Sequence, residues 1–379
     1  YLNCGQDSSF SGNKTAQGNQ DGNDIGDFYY PVPANHLALC TSNMPDVAVT
    51  PSEHFNTVLY TGNGGNKTIS GYDFQPDMVW GKARDQAYNH HIHDAVRGVE
   101  KRITVNNNSQ EETDGALKTF TSDGYTFDTA GAINVNGTSY VNWSWKANGS
   151  GSSNSNGSIT STVSANVDAG FSIVSYTGTG ANATIGHGLS KAPEMIIVKK
   201  RNDTGDWMVQ ANNDNTDYLR MNTTHASTDS DAAWNDTSPT ATLFSVGTDG
   251  AVNNDTQTFI AYCFHSVDGY SKVGTYTGNG NADGTFVYTG HRPSLILLKR
   301  TDSADGWVML DNERVGYNAG NNVLEANDSA AEDSSVADRV DILSNGFKLR
   351  NSWTKINASS GNYIFISFAE TPFKNSNGR

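Results

Sequence analysis

The chain has 379 residues, 36% hydrophobic and 17% charged, with 38 Gly. That length is enough for several domains, and the heavy Gly, Asn, Ser and Thr load disfavours long helices and favours strands joined by turns. A formal net charge of -15 with only 25 Lys plus Arg excludes a nucleic-acid surface built on clustered cations, and no apolar run reaches the ~20 residues of a membrane helix.

The stretch Tyr60-Thr61-Gly62-Asn63-Gly64 returns as Tyr176-Thr177-Gly178-Thr179-Gly180 and as Tyr276-Thr277-Gly278-Asn279-Gly280. Self-similarity at this spacing predicts three copies of one module. The expected division is an N-terminal segment over 1–50, modules over 51–147, 169–268 and 269–379, and a Gly/Ser/Asn linker over 148–168. The N-terminal segment is too short and polar to fold alone. It reads either as an arm packed on the first module or as the end of a preceding domain, with one short strand, Leu37-Ala38-Leu39-Cys40. Cys4, Cys40 and Cys263 do not recur with the modules, so they form no shared disulfide framework, and a Cys4–Cys40 bridge stays open.

Each module begins with the strand ending at its Tyr-Thr-Gly-x-Gly turn. A second strand follows Pro76, Pro193 and Pro293, and its continuous apolar run, closed by Lys82, Lys199 and Lys299, predicts burial on both faces. The capping-box spacings Ser109 to Glu112 and Ser329 to Glu332 predict a short helical turn, weaker in the second module, where the Glu is missing. Asn134, Asn253 and Asn357 each precede an aromatic strand that starts at Tyr140, Phe259 or Tyr363, which suggests a hairpin with its register set by the turn. Seven to nine short strands per module give the fold class: all-β, three tandem β-sandwich-like modules. The 148–168 linker predicts a freely hinged first module, and the short Ser266-Val267-Asp268-Gly269 connection a stiff second and third pair.

Several residues invite chemistry. His90-His91-Ile92-His93 could share a metal, but alignment of the modules sets His91 beside Trp207 and Trp307, so a bulky structural residue is expected there and no metal or cofactor is assigned. Glu111-Glu112 and Glu332-Asp333 could serve as glycosidase acids, yet their place at the capping turn predicts a structural role. Asp21-Gly22-Asn23-Asp24 and Asp203-Thr204-Gly205-Asp206 carry oxygen ligands suited to Ca²⁺ but read as turns. No Gly-x-Ser-x-Gly elbow is present, and the Tyr-Thr-Gly-x-Gly turns lack the Lys of a phosphate loop. No catalytic residue is therefore assigned, and the recurring side chains named above are expected to hold scaffolds together.

The runs Phe55–Gly64, Phe74-Gln75-Pro76-Asp77, Asp94-Ala95-Val96-Arg97-Gly98 and Gly361–Phe373 resemble a repeat domain of unknown function found in tail-fibre-like virion proteins of marine tailed bacteriophages. The resemblance covers residues 52–373. Tyr1–Thr41 is similar to the end of a lectin-like, SPRY-type module, on Asn3, Gly5, Gln6, Asp7 and Phe10. This resemblance implies a non-enzymatic protein of the virion surface that attaches to a host receptor or glycan. The partners expected are other virion proteins and a second copy of itself, a trimer among the candidates, with no nucleic acid and no membrane insertion. Exposed Tyr and Trp in loops would stack on sugar rings. A virion spacer or capsid decoration fibre is the alternative, with a polysaccharide depolymerase third.

Overall fold

The computed structural model describes residues 7–44, 47–113, 116–128, 133–212, 214–314, 318, 322–335 and 339–373. They form three units, each a large antiparallel sheet faced by a small one. In the first, Phe55–Thr61, Ser139–Trp145, Met78–Ala83, His91–Asp94, Lys101–Thr104 and Glu112–Thr113 lie side by side, faced by Lys67–Ser70, Gly124–Phe127 and Leu117–Thr121. The second has an eight-stranded sheet centred on Phe171–Thr177, Thr258–Phe264 and Met195–Lys200, faced by Ala183–Gly186 and Leu243–Val246. The third has a five-stranded sheet centred on Ser271–Thr277, Asn362–Pro372 and His291–Arg300, faced by Phe286–Tyr288, Gly346–Leu349 and Val340–Leu343. The fold is thus all-β and sandwich-like.

In every large sheet the aromatic strand lies between the strand that ends at the Tyr-Thr-Gly-x-Gly turn and the strand with the buried lysine. Ser139–Trp145 pairs with both Phe55–Thr61 and Met78–Ala83, and Thr258–Phe264 and Asn362–Pro372 hold the same place. It is therefore not the second arm of a local hairpin: the four-residue helices Gly250–Asn253 and Thr354–Asn357 precede it, and its partners are long-range. Alternation along the neighbouring strand explains its double burial. Met195 and Ile197 point into one core and Ile196 and Val198 into another; Leu295 and Leu297 diverge from Ile296 and Leu298 in the same way. One of these cores lies within each sandwich. The other is common to all three units, and there the side chains of Trp145, Phe264 and Phe368 converge, with ring centroids 5.4 and 5.8 Å from Phe368.

That common core overturns the expected hinge, because a unit that shares buried aromatic surface with the other two cannot swing freely. The expected linker is not a tether either. Ser152–Asn154 and Ser161–Asn166 are strands that extend the second large sheet: Ser152–Asn154 pairs with Ser161–Asn166 and that with Phe171–Thr177, by ladder bonds that do not require apolar side chains. Pro76 and Pro193 precede their strands, whereas Pro293 lies inside His291–Arg300, at a register shift that accommodates its missing N–H. Val49 enters the common core, and residues 7–44 are irregular, organised by Asp21. Its carboxylate accepts from the amides of Asn23, Ile25 and Ala38 and from Asn43 Nδ2, and these bonds outweigh desolvation to hold the Asp21 carboxyl down at about 2. Leu37-Ala38-Leu39-Cys40 is accordingly not a strand, and Leu37 and Leu39 face solvent. Cys4, Asn3, Gly5 and Gln6 lie outside the described residues.

Candidate functional site

The recurring residues meet at one place in each unit. Tyr60 OH donates to Ile133 O at 2.5 Å, Tyr176 OH to Val252 O at 2.6 Å and Tyr276 OH to Ile356 O at 2.8 Å. Their rings stack on Tyr140, Phe259 and Tyr363, with centroids 5.2, 5.1 and 4.8 Å apart. Asn134, Asn253 and Asn357 are buried and accept from the amides of Asn63, Thr179 and Asn279 while donating to Gly65, Ala181 and Asn281 carbonyls. The glycines are required. A Cβ on Gly62, Gly178 or Gly278 would lie 2.2, 2.3 or 2.4 Å from a backbone oxygen, and Gly64, Gly180 and Gly280 hold φ of 69°, 69° and 66°. These bonds fix the same turn in each unit.

Glu111, Glu332 and His90 are used at contacts between units. No helix forms at Ser109–Glu112 or Ser329–Glu332, contrary to the capping-box reading, because the amides concerned are already bonded: Ser109 N to Asn107 Oδ1, Glu111 N to Arg201 O, and Glu332 N to Arg84 O. No helix forms at Asn222–Ser227 either; the nearest helical turn is Asp231–Trp234. Glu111 takes both ends of Arg201 at 2.8 and 3.2 Å, and Glu332 both ends of Arg84 at 3.0 and 3.1 Å. Asp333 pairs instead with Arg339. Asp206, in the turn read as a weak Ca²⁺ loop, pairs with Arg220, and Gly205 N reaches Asn108 O of the first unit.

The histidine alignment is one residue out. Trp207 N and Trp307 N donate to Asn222 Oδ1 and Asn327 Oδ1, and it is His90 N that donates to Asn106 Oδ1, so His90 and not His91 occupies the Trp position. Trp207 Nε1 donates to Thr104 O of the first unit and Trp307 Nε1 to Arg220 O of the second, while the His90 ring faces the Glu325 backbone of the third. The three imidazoles turn apart: Nδ1 of His90 meets Trp80 Nε1, that of His91 meets Thr104 Oγ1, and that of His93 meets Val99 O. Among the described residues, no group of three or more His, Cys, Asp or Glu is placed to hold a metal.

A groove of about 660 Å³ on the first unit is open to solvent, lined by Tyr88, Asn89, His91, Arg102, Asn107 and Glu112 among others. Its volume falls in the range of small-ligand sites, ~300–1,000 Å³. Tyr88, in the loop between Met78–Ala83 and His91–Asp94, is 39% exposed, so part of its ring is free to stack. Arg102 and Glu112 face each other across adjacent strands, with Nε and Nη2 at 3.1 and 2.5 Å from Oε2. His91 forms part of the lining, and burial, then Arg102 and other neighbouring cations, push its imidazole well below the usual range, so it is neutral at pH 7. The groove therefore offers an aromatic face, side-chain amides and a charged fork. Among the described residues that line it, Glu112 is the carboxylate; its neighbour Glu111 turns into the unit contact. His91, Ser109 and Glu112 stand out in the sequence for other roles, whereas Tyr88, Asn89 and Arg102 do not; the sequence signal for these is an unmatched aromatic, Tyr88, in a polar loop.

Residues 50–372 match the family model described as Domain of unknown function (DUF7483), and the chain belongs to that family. No curated protein matches it.

Proposed function

We propose that this chain is a non-enzymatic protein of a phage virion surface, tail-fibre-like, that attaches to a host glycan or other receptor through the groove of the first unit. The observation that carries this is the pairing of a half-free Tyr88 ring with the amides of Asn89 and Asn107 and the Arg102–Glu112 fork in one open groove. Sugar rings are recognised by that combination of stacking and planar hydrogen-bonding groups. The phage-fibre resemblance of residues 52–373 supports the setting, and the same reading takes the three units as copies of one module. A depolymerase is the weaker reading, because acid–base glycoside hydrolysis needs two carboxylates flanking the bond and, among the described residues, the groove lining holds Glu112 as its carboxylate.

A second reading, a rigid spacer or capsid decoration element, is favoured by the common core, which suits a chain that bears load. Other virion proteins and further copies of the chain would then be its partners. A glycan array probed with the whole chain, paired with blocking of phage adsorption, tests the first reading. Binding that is lost in Tyr88→Ala and in Arg102→Ala supports it. No bound glycan and no competition for adsorption favours the spacer.

A further inference from the structure

The contact between units is made three times, but only two of the three are filled by charge. Between the first and second units, Asp94 and Arg97 are fully buried and Arg97 reaches Glu111, which also holds Arg201. Between the third and first, Asp311, Arg314, Glu332 and Arg84 repeat that chain of pairs. Between the second and third, the positions that correspond by strand register and chain count are Ala211, Asp214, Ser227 and Thr301. The backbones meet alike: Ser227 N donates to Thr301 O at 2.8 Å, as Glu111 N does to Arg201 O and Glu332 N to Arg84 O, both at 2.7 Å. Smaller side chains beside the shared backbone bond leave room, and a cavity of about 170 Å³ lies there. It has Leu219 and Ile364 as apolar wall, the hydroxyls of Ser227 and Thr301, and the carboxylates of Asp214, which is exposed, and Asp217, which is half-buried.

We infer that this cavity is a binding site for an alkylguanidinium group supplied from outside the chain, in the place that Arg97 and Arg314 fill at the other two contacts. The apolar wall suits the methylene stem. Hydroxyls and carboxylates suit a flat cation with five N–H donors, which forms stronger, better-directed bonds than an ammonium. Reversal of charge at one place supplies the bias: where the other units carry Arg97 and Arg314, the second carries Asp214. The inference is independent of the groove on the first unit.

Titration calorimetry on the whole chain with ethylguanidinium, agmatine and N-acetylarginine amide tests it, with butylamine as the comparison cation. The expected result is saturable one-site binding of the guanidinium compounds, tighter than that of butylamine. It should weaken by about tenfold or more in the surface double variant Asp214→Asn/Asp217→Asn, the loss of ~1.4 kcal/mol expected when a charge-assisted contact is removed. It should vanish in Thr301→Arg, whose own side chain would fill the space as Arg84 and Arg201 do. Tighter binding of agmatine points to a free small cation, and tighter binding of the arginine amide to a partner's side chain. No saturable binding of any guanidinium probe, or binding undiminished in folded Asp214→Asn/Asp217→Asn, overturns the assignment.

Discussion

Arg84 and Glu332 lie 248 residues apart in the chain and share two hydrogen bonds of 3.0 and 3.1 Å. This pair joins the third unit back to the first, after Arg201–Glu111 has joined the first to the second and the Ser227–Thr301 backbone bond the second to the third. The three units therefore close a ring around the common core. Arg84→Ala is expected to cost about 2 kcal/mol in urea unfolding, less than the roughly 3–5 kcal/mol of breaking a buried pair outright, because Arg314 still reaches Glu332. Arg84→Ala and Glu332→Ala together should cost less than their sum, since the double variant leaves neither partner of that pair stranded.

Asn357 is fully buried, and its side chain bonds Asn279 N, Asn281 O and Asn351 O. Asn357→Ala strands those groups and should cost about 2–3 kcal/mol, the penalty of leaving buried backbone groups unpaired. Asn253→Ala should behave alike in the second unit. Denaturant midpoints compare the two directly.

Gly278→Ala sets a methyl 2.4 Å from Ala358 O, where only backbone can yield. A loss of about 1–3 kcal/mol is expected, as for other overpacked sites. A solvent-exposed glycine such as Gly22, whose added Cβ meets nothing within 4 Å, gives the control.

Lys82, Lys199 and Lys299 are the last but one residues of Met78–Ala83, Met195–Lys200 and His291–Arg300, and burial lowers each to about 8. Their ammonium groups are satisfied by carbonyls, among them Ala83 O at 2.6 Å, Lys200 O at 2.7 Å and Asp305 O at 2.7 Å. Each folded pKa is depressed below the unfolded value of 10.5. Between these limits the unfolded chain holds more protons, so stability rises with pH from about 8 toward 10, by on the order of 2 kcal/mol for each lysine. Above about 10 the buried tyrosines Tyr60, Tyr176 and Tyr276, whose pKa values burial raises well above normal, act in the opposite sense. Thermal melts across that range check the slope, which should flatten in Lys199→Met.

Much of the scaffold was legible because its signals are local. Tyr60, Gly62 and Gly64 announce a turn that only glycine can make, and the runs after Pro76 and Pro193 announce strands covered on both sides. The ring was not legible, because Arg84 and Glu332 carry no mark that ties them together across the chain. The residues of 152–154 and 161–166 read as a tether because their side chains are small and polar, but strand pairing to a neighbour's backbone outweighs weak local preference. His90 was displaced by one because two adjacent histidines are indistinguishable by type, and only the bond from its amide to Asn106 sets the register. At Ser109 and Glu112 the spacing of a helix cap was real, but contacts with another unit claimed the amides it needed. Tyr88 and Arg102 were missed for the opposite reason: they do not recur, so comparison among the modules passes over them.

The central claim is that three sandwiches share one core and close on themselves, and differential scanning calorimetry of the whole chain tests it most directly. A single transition with equal calorimetric and van't Hoff enthalpies is predicted, splitting into separable transitions when Arg84→Ala is combined with Phe368→Ala. Two or three independent transitions in the unmodified chain would contradict it.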